Sequence, residues 1–350
     1  MSALPRIHFI LPVPSQPRFH KRIAALAALG ASVQVYAFER DYFRGKAPAL
    51  NYHRLGRLQH GNYLRRLPVL LRAAPVLHRA TRPGDVLYGF GLDTALLGLV
   101  VQRWRGADTR LVYECGDITP VMVGRGVGSR LLRWLERRVL AAAIRVVITA
   151  PAFGSHYFTA MQGVPPSRLF VIENKLDHMP PREGAGLSWD GKRPLRLGYF
   201  GLLRDPLAWQ LMLSWARRAP DGLQLIVRGY PFGIPGLREA MRAQPNIHFG
   251  GEYVYPDDLP TLYGGVDLVW TTYPKAADPN DPRWRWPRTN RFYEACYFGK
   301  PMIGQTGSAD GELIERYDIG LTVDTAQPEA ALARLQEITP SDLARWAANL

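Results

Sequence analysis

The sequence predicts an α/β protein of two doubly wound domains facing a central cleft, and three observations carry that expectation. A chain of 350 residues exceeds what one typical core fills, so two domains are the prior. Short apolar β-type runs alternate with helical stretches, the pattern of parallel sheets covered by helices. The alternation lapses once, over residues 176–194, and then restarts.

In the first half, IHFILPV (7–13) is apolar, flanked by prolines, and reads as the first strand. KRIAALAALG (21–30) has helical spacing and ends at glycine, and SVQVYAF (32–38) is the second strand. DVLYGFG (85–91) leads into DTALLGLVVQRW, where Asp93 is placed to cap a helix. LVYECGD (111–117), RVVITA (145–150) and LFVIENK (169–175) are further buried strands. The irregular stretch that follows is rich in Pro, Gly and charge. Residues 179–194 are taken as the linker between an N-terminal domain, 1–178, and a C-terminal domain, 195–350. The second half then places strands at 195–201, 223–229, 246–251 and 266–273, with helices near 205–219, 235–243 and 256–265. GLTVDT (320–325) is a weak last strand, and the final helix is expected to pack back toward the first domain. No internal repeat relates the halves, only their shared rhythm. In such sheets ligands sit beyond the carboxyl ends of the strands.

Hydrophobic content of 47% and charged content of 21% are those of a globular protein, which excludes disorder. The net charge of +14 is less ordinary, and only six of the 44 basic residues are lysines. Such a surface favours anionic partners. Cys115 and Cys296 stand too far apart for a metal or redox motif and fit a reducing compartment. The apolar part of the N-terminus is too short for a signal peptide, and runs such as ALLGLVV (95–101) fall short of the ~20 residues of a membrane span. A cytoplasmic protein, peripheral on the inner membrane face, is expected.

The chemistry concentrates at PRTNRFYEACYFGKPMIG (287–304). A helix beginning near Thr289–Asn290 would present free amides and the helix dipole to an anion. Arg291 and Glu294 share one face of it. An arginine suits a diphosphate, and a carboxylate accepts both hydroxyls of a ribose. The alternative is an intrahelical ion pair on a solvated face. In LRLGYFGLLRDP, Gly198 and Gly201 close a strand before a helix near Asp205, and Arg204 could reach the same anion; an ordinary glycine turn is the competing reading.

Asn-Arg-x-x-Glu-x-x-x-x-Gly-Lys-Pro resembles the nucleotide-binding helix of GT-B glycosyltransferases, especially the family 4-like enzymes of bacterial polysaccharide assembly. GYFG, LIVRG and FGGEYVYPDDLPTLYGGVDLVWTTYP match that family's C-terminal domain in order and spacing, over roughly 195–325. The resemblance implies two Rossmann-like domains, the first binding acceptor and the second a nucleotide sugar. It gives Glu294 the ribose and Asn290, Arg291 and Arg204 the diphosphate, beside Gly201. Thr289 and Tyr273 would line the pocket, with Arg228 and Glu252 near the base. Retaining members carry a second glutamate eight positions before the first, where this chain has Trp286. That departure argues against a retaining mechanism.

RLVYECGDITP resembles the corresponding strand of the inverting glucuronosyltransferases of xanthan-type exopolysaccharide synthesis, in which an Asp acts as base. Asp117 is the matching candidate, and Glu114 reads as structural. An inverting transfer needs a carboxylate to take the acceptor's proton; a helix cap or a salt bridge is the competing use of Asp117. SQPRFHKR (15–22) resembles that family's turn after the first strand, so Arg18 and His20 are candidate acceptor ligands, with a solvated loop as the alternative. A glucuronate donor would need a further cation at its sugar carboxylate, which Arg18, Lys275 or Arg288 could each provide.

No cluster has metal-ligand spacing, so no metal or cofactor is expected and the arginines would neutralise the leaving diphosphate. Two stretches, 62–82 and 128–143, mix Leu, Val and Trp with arginine at helical intervals. They suit anionic lipid headgroups and a polyprenyl-diphosphate-linked oligosaccharide acceptor, or are amphipathic core helices with basic outer faces. No helix-turn-helix, RNP or zinc signature supports nucleic-acid binding. The sequence thus points to transfer of a sugar from a nucleoside diphosphate, UDP first among them, to a lipid-linked acceptor. The donor would be UDP-glucuronate or a UDP-hexose. A sugar-nucleotide epimerase and a catalytically inactive nucleotide- or membrane-binding module are the alternatives.

Overall fold

Apolar runs that alternate with helices leave the central strands buried on both faces, and the strands of both halves are parallel throughout. The computed structural model of the chain describes residues 5–40, 50–59, 63–176, 181, 189–234, 236–278 and 281–350. The chain divides into two compact units, Met1–Glu173 and Asn174–Leu350. Most of the expected linker, 179–194, and the first residue of the expected helix 235–243 lie outside the described residues.

The first unit contains β1 (Ile7–Leu11), α1 (Pro17–Ala28), β2 (Val33–Glu39), β3 (His53–Arg57), α2 (Tyr63–Ala80), β4 (Val86–Phe90), α3 (Leu92–Arg105), β5 (Arg110–Cys115), α4 (Pro120–Val123), α5 (Val127–Ala142), β6 (Ala143–Ile148), α6 (Pro151–Phe153) and β7 (Leu169–Val171). Its sheet runs β3-β2-β1-β4-β5-β6-β7. β1 and β4 are buried along their whole length, as a central strand pair requires. Two expectations are corrected and one strand is added. Helix α1 starts four residues before Lys21, because Pro17 sits at its first turn, where a missing N–H and a fixed φ cost nothing. Asp93 is not a cap: Gly91 is the N-cap residue of α3, and Asp93 lies in the first turn, 2.5 Å from Arg66. The edge strand β3 has no apolar run to announce it; HRLGR pairs with β2 through an irregular register.

The second unit contains β8 (Leu195–Leu203), α7 (Pro206–Arg218), β9 (Leu223–Pro231), α8 (Leu237–Ala243), β10 (Ile247–Phe249), α9 (Leu259–Gly264), β11 (Leu268–Trp270), α10 (Pro282–Arg285), α11 (Asn290–Phe298), β12 (Met302–Gln305), α12 (Ala309–Tyr317), β13 (Gly320–Val323), α13 (Pro328–Gln336) and α14 (Pro340–Ala348). Its sheet runs β10-β9-β8-β11-β12-β13. Leu343 and Trp346 of α14 join the core that Trp209, Trp215 and Trp270 build on this sheet. Among the described residues no helix is long and apolar enough to cross a membrane.

β8 does not end at Gly201 as expected but continues to Leu203, because β9 pairs with it to the end, Gly201 opposite Gly229 and Leu203 opposite Pro231. The close approach explains the second glycine. Gly229 has φ +132°, and a Cβ there would collide with the Gly201 carbonyl. Gly229→Ala is therefore expected to cost on the order of 3 kcal/mol, combining backbone strain and overlap, and to lower Tm by several degrees in calorimetry.

Candidate active site

In the second unit the chain leaves β8 outward through β9 and β10, then returns to β11 and runs the other way through β12 and β13. The topological switch point is thus between β8 and β11, where a doubly wound sheet opens a crevice at its carboxyl edge. The two strands pair only at Leu197–Leu268 and Gly198–Val269, and beyond that they part. Arg291 fills the opening. Its guanidinium donates to the Phe200 carbonyl at 3.0 Å and to the Thr272 carbonyl at 2.7 Å, and lies 5.2 Å from the Tyr199 ring centre. Two of its five N–H groups are thereby spent on backbone, which pins the start of α11 at the switch point.

One turn on, Glu294 is buried and accepts a hydrogen bond from the Tyr263 hydroxyl at 2.7 Å. Tyr263 belongs to α9 and stacks on Phe298 at 4.9 Å, so the carboxylate is held by a rigid donor. Burial and the Glu294 charge push that phenol well above its ordinary pKa, and it stays a donor. Tyr253 completes the group. Its hydroxyl would touch a side chain placed on Gly201, and its phenol is raised by burial and by Glu294, against Arg291 and Arg228.

Across the same opening, Arg204 follows β8 and lies 5.5 Å from the ring of Tyr273, which follows β11. Arg204 and Asn290 are both exposed. Asp205 fixes the ends beneath them: it caps α7 through the Ala208 amide at 3.1 Å and accepts from the Thr272 hydroxyl at 3.0 Å. Thr272 in turn accepts from the Trp270 indole at 2.8 Å.

Several expected ligands have other employment. Thr289 is buried; its hydroxyl caps α11 by accepting from the Phe292 amide at 3.1 Å, so it serves the helix and does not line a surface. Arg228 donates to the carbonyls of Gly251 at 3.2 Å and Glu252 at 3.0 Å and holds that turn, while the Glu252 side chain is exposed. Lys275 is committed to Asp324 at 2.6 Å.

Sequence reasoning did not find Tyr253, Tyr263 or Asp310. Asp310, in the first turn of α12, is buried and accepts the Thr289 amide at 2.9 Å. Burial pushes its carboxyl up to about 7, against the Thr289 hydrogen bonds and the charges of Arg288 and Arg291. The folded chain holds this proton more tightly than the unfolded chain, so its stabilising contribution is complete at low pH and fades as pH rises from about 4 to about 7. Asp310→Asn, which cannot ionise, is expected to raise Tm at pH 8 by roughly 3–6 °C. The gain should shrink toward pH 5, as calorimetry across pH would read.

In the first unit, Asp117 stands two residues past β5 with its side chain 73% exposed, 4.0 Å from Arg18. Arg18 and His20 ride on the first turns of α1, not on a loop. Gly116 admits the Arg18 guanidinium, which any Cβ there would strike. The His20 ring bonds the Pro14 carbonyl at 2.8 Å. Glu114 is buried under α1, accepting from Tyr88 at 2.6 Å and Arg22 at 3.3 Å, which is a structural tie. Arg18 and His20 thus follow β1 and Asp117 follows β5, with β4 between them, and Arg18 spans that gap to Asp117.

Residues 15–175 match the family model of the glycosyl transferase 4-like domain. That match falls on the N-terminal unit, which holds SQPRFHKR and RLVYECGDITP, whereas the helix motif and its neighbours lie over 195–325. The chain is 27% identical over 340 residues to the succinoglycan biosynthesis protein ExoL of Rhizobium meliloti (strain 1021), covering 93% of this chain and 83% of that one. Its structure is similar to sucrose-phosphate synthase from Thermosynechococcus elongatus, with a TM-score of 0.70 at 15% identity, over 99% of this chain and 92% of that one. It is also similar to Anabaena Alr3699/HepE solved in complex with UDP-glucose, with a TM-score of 0.68 at 16% identity, over 98% and 93%. With two parallel α/β sheets and these likenesses, the chain has the GT-B fold, and its residues 15–175 are similar to the glycosyl transferase 4-like domain.

Proposed function

We propose that the protein transfers a sugar from a UDP-sugar to a lipid-linked oligosaccharide in exopolysaccharide synthesis. The observation that carries the donor half is the placement of Arg291 and the tethered Glu294 at the β8/β11 switch point. Glu294 takes the ribose hydroxyls. Asn290, Arg204 and the free amides of α11 take the diphosphate, with Arg291 setting their position and adding charge. Positive charge and oriented amides there replace a metal ion in stabilising the leaving group. The names of ExoL and of the UDP-glucose complex of HepE support the exopolysaccharide and UDP assignments. UDP-hexose and UDP-glucuronate are the two donor classes, and Lys275 is bound to Asp324.

The transfer inverts configuration. Asp117 takes the acceptor's proton while the hydroxyl attacks the anomeric carbon, and Arg18 orients the carboxylate. A thermal-shift screen of nucleotides tests the donor reading: UDP should raise Tm in the wild type and not in Glu294→Ala. Absence of a shift with every nucleotide would sink it.

The acceptor's lipid anchor brings the protein to the membrane. The apolar stripe of α5 faces outward: Val127 is 84%, Leu131 54% and Trp134 47% exposed. Arg130, Arg137 and Arg138 border it, with Arg138 4.8 Å over the Trp134 ring. On α2, Leu67 and Leu71 are likewise exposed. Outward apolar residues among arginines fit an anionic bilayer surface. The double substitution Leu131→Asp with Trp134→Asp should lower co-sedimentation with vesicles containing anionic phospholipid about tenfold and leave UDP binding unchanged. Equal sedimentation would remove α5 from that role.

A further inference from the structure

Asp310 lies directly behind the helix start that the donor reading uses. Its Oδ2 accepts the amide of Thr289, the cap residue of α11, at 2.9 Å, and its Oδ1 makes no hydrogen bond. The residue is 3% exposed. The charged and titratable groups that face it are Arg288, in the segment before α11, and Arg291 and Cys296, on α11 itself. The Cys296 thiol is pushed up to about 11 by burial first and by Asp310 second, so it stays neutral near pH 7. The two arginines and the amide end of α11 therefore serve one buried anion in the free protein. A diphosphate bound at Asn290 and Arg204 would bring further negative charge to the same positive end.

We propose that Asp310 is a positioning residue for the donor clamp and takes up a proton when the anionic donor binds. This inference rests on the donor reading above. Two anions sharing one positive end in a buried setting repel, and the one that can be neutralised is the carboxylate. The proton comes from solvent and stays on a carboxylate oxygen, while the other oxygen keeps the Thr289 amide. In the free protein Asp310 is held near the midpoint of its titration at neutral pH, so little is needed to tip it. Uptake of a proton on binding requires that affinity fall as pH rises. The window opens near pH 7, where free Asp310 becomes ionised, and extends upward as far as the bound anion raises its proton affinity.

The test is titration calorimetry with UDP at pH 7.5, in buffers of widely different ionisation enthalpy, on the wild-type chain and Asp310→Asn. The wild type should take up about half a proton more per UDP than the variant, whose difference removes the nucleotide's own titration. A second measurement uses the wild type alone. A methyl ester of UDP, which has no exchangeable phosphate proton in this range, should bind about three- to tenfold more weakly at pH 8.5 than at 6.5. Equal proton counts in the two proteins, or a flat profile for the ester, would overturn the role of Asp310 and leave the donor site standing. No heat with UDP in either protein would overturn the donor reading, and this inference with it.

Discussion

Asp117→Asn is expected to lower kcat by 10²–10⁴-fold, the range of general-base catalysis, while the Kd for UDP stays within about twofold. The argument rests on position and exposure. Asp117 leaves β5 with its side chain 73% exposed and Arg18 4.0 Å away. Glu114, three residues earlier, is 1% exposed and ties Tyr88 and Arg22 through its Oε2, so its burial shields it from an acceptor. Asparagine keeps the size and loses the basicity, so folding should be unaffected. A progress curve with the native donor and acceptor reads kcat, and calorimetry with UDP reads the unchanged site. Activity within threefold of wild type would remove Asp117 as base. An inactive binding module would show no turnover in the wild type either.

Glu294→Ala is expected to weaken UDP binding about 100-fold, or about 2.7 kcal/mol, since it removes a charged acceptor of two ribose hydroxyls. The same change strands the Tyr263 hydroxyl in the core, which costs roughly 1–3 kcal/mol of stability by itself. Glu294→Gln separates the effects. It retains an oxygen for Tyr263, so Tm should return to near wild type, while the weaker, neutral acceptor leaves UDP affinity down by about tenfold. Both numbers come from calorimetry on the same samples. If Glu294→Ala binds UDP as the wild type does, the carboxylate is only a tie between α9 and α11.

The legibility of the fold had a physical cause. Strands such as IHFIL and VLYGF are buried on both faces, so burial is written into adjacent residues as unbroken apolar runs. β3 escaped notice because an edge strand is half solvated and HRLGR needs no such run. The helix at 290–298 was legible for the same local reason: Thr289 caps it, and Gly299, in the left-handed conformation at φ +63°, ends it.

The task of each polar side chain was not local. Arg291 looked like a phosphate ligand from its neighbours in sequence, yet two of its donors go to carbonyls 91 and 19 residues away. Tyr263 reaches Glu294 across 31 residues, and Asp310 reaches Thr289 across 21. Sequence alone determined the two parallel α/β sheets, the helix that carries Asn290, Arg291 and Glu294, and the likeness to GT-B glycosyltransferases, because periodicity, caps and motif spacing act over a few residues. The tertiary structure alone decided that Arg291 bridges the parting strands, that Thr289 turns inward, that α5 shows its apolar stripe to solvent, and that a buried acid stands behind the donor helix. The first depends on the backbone carbonyls left at the parting of β8 from β11, and the others on which groups the fold brings together across long stretches of sequence.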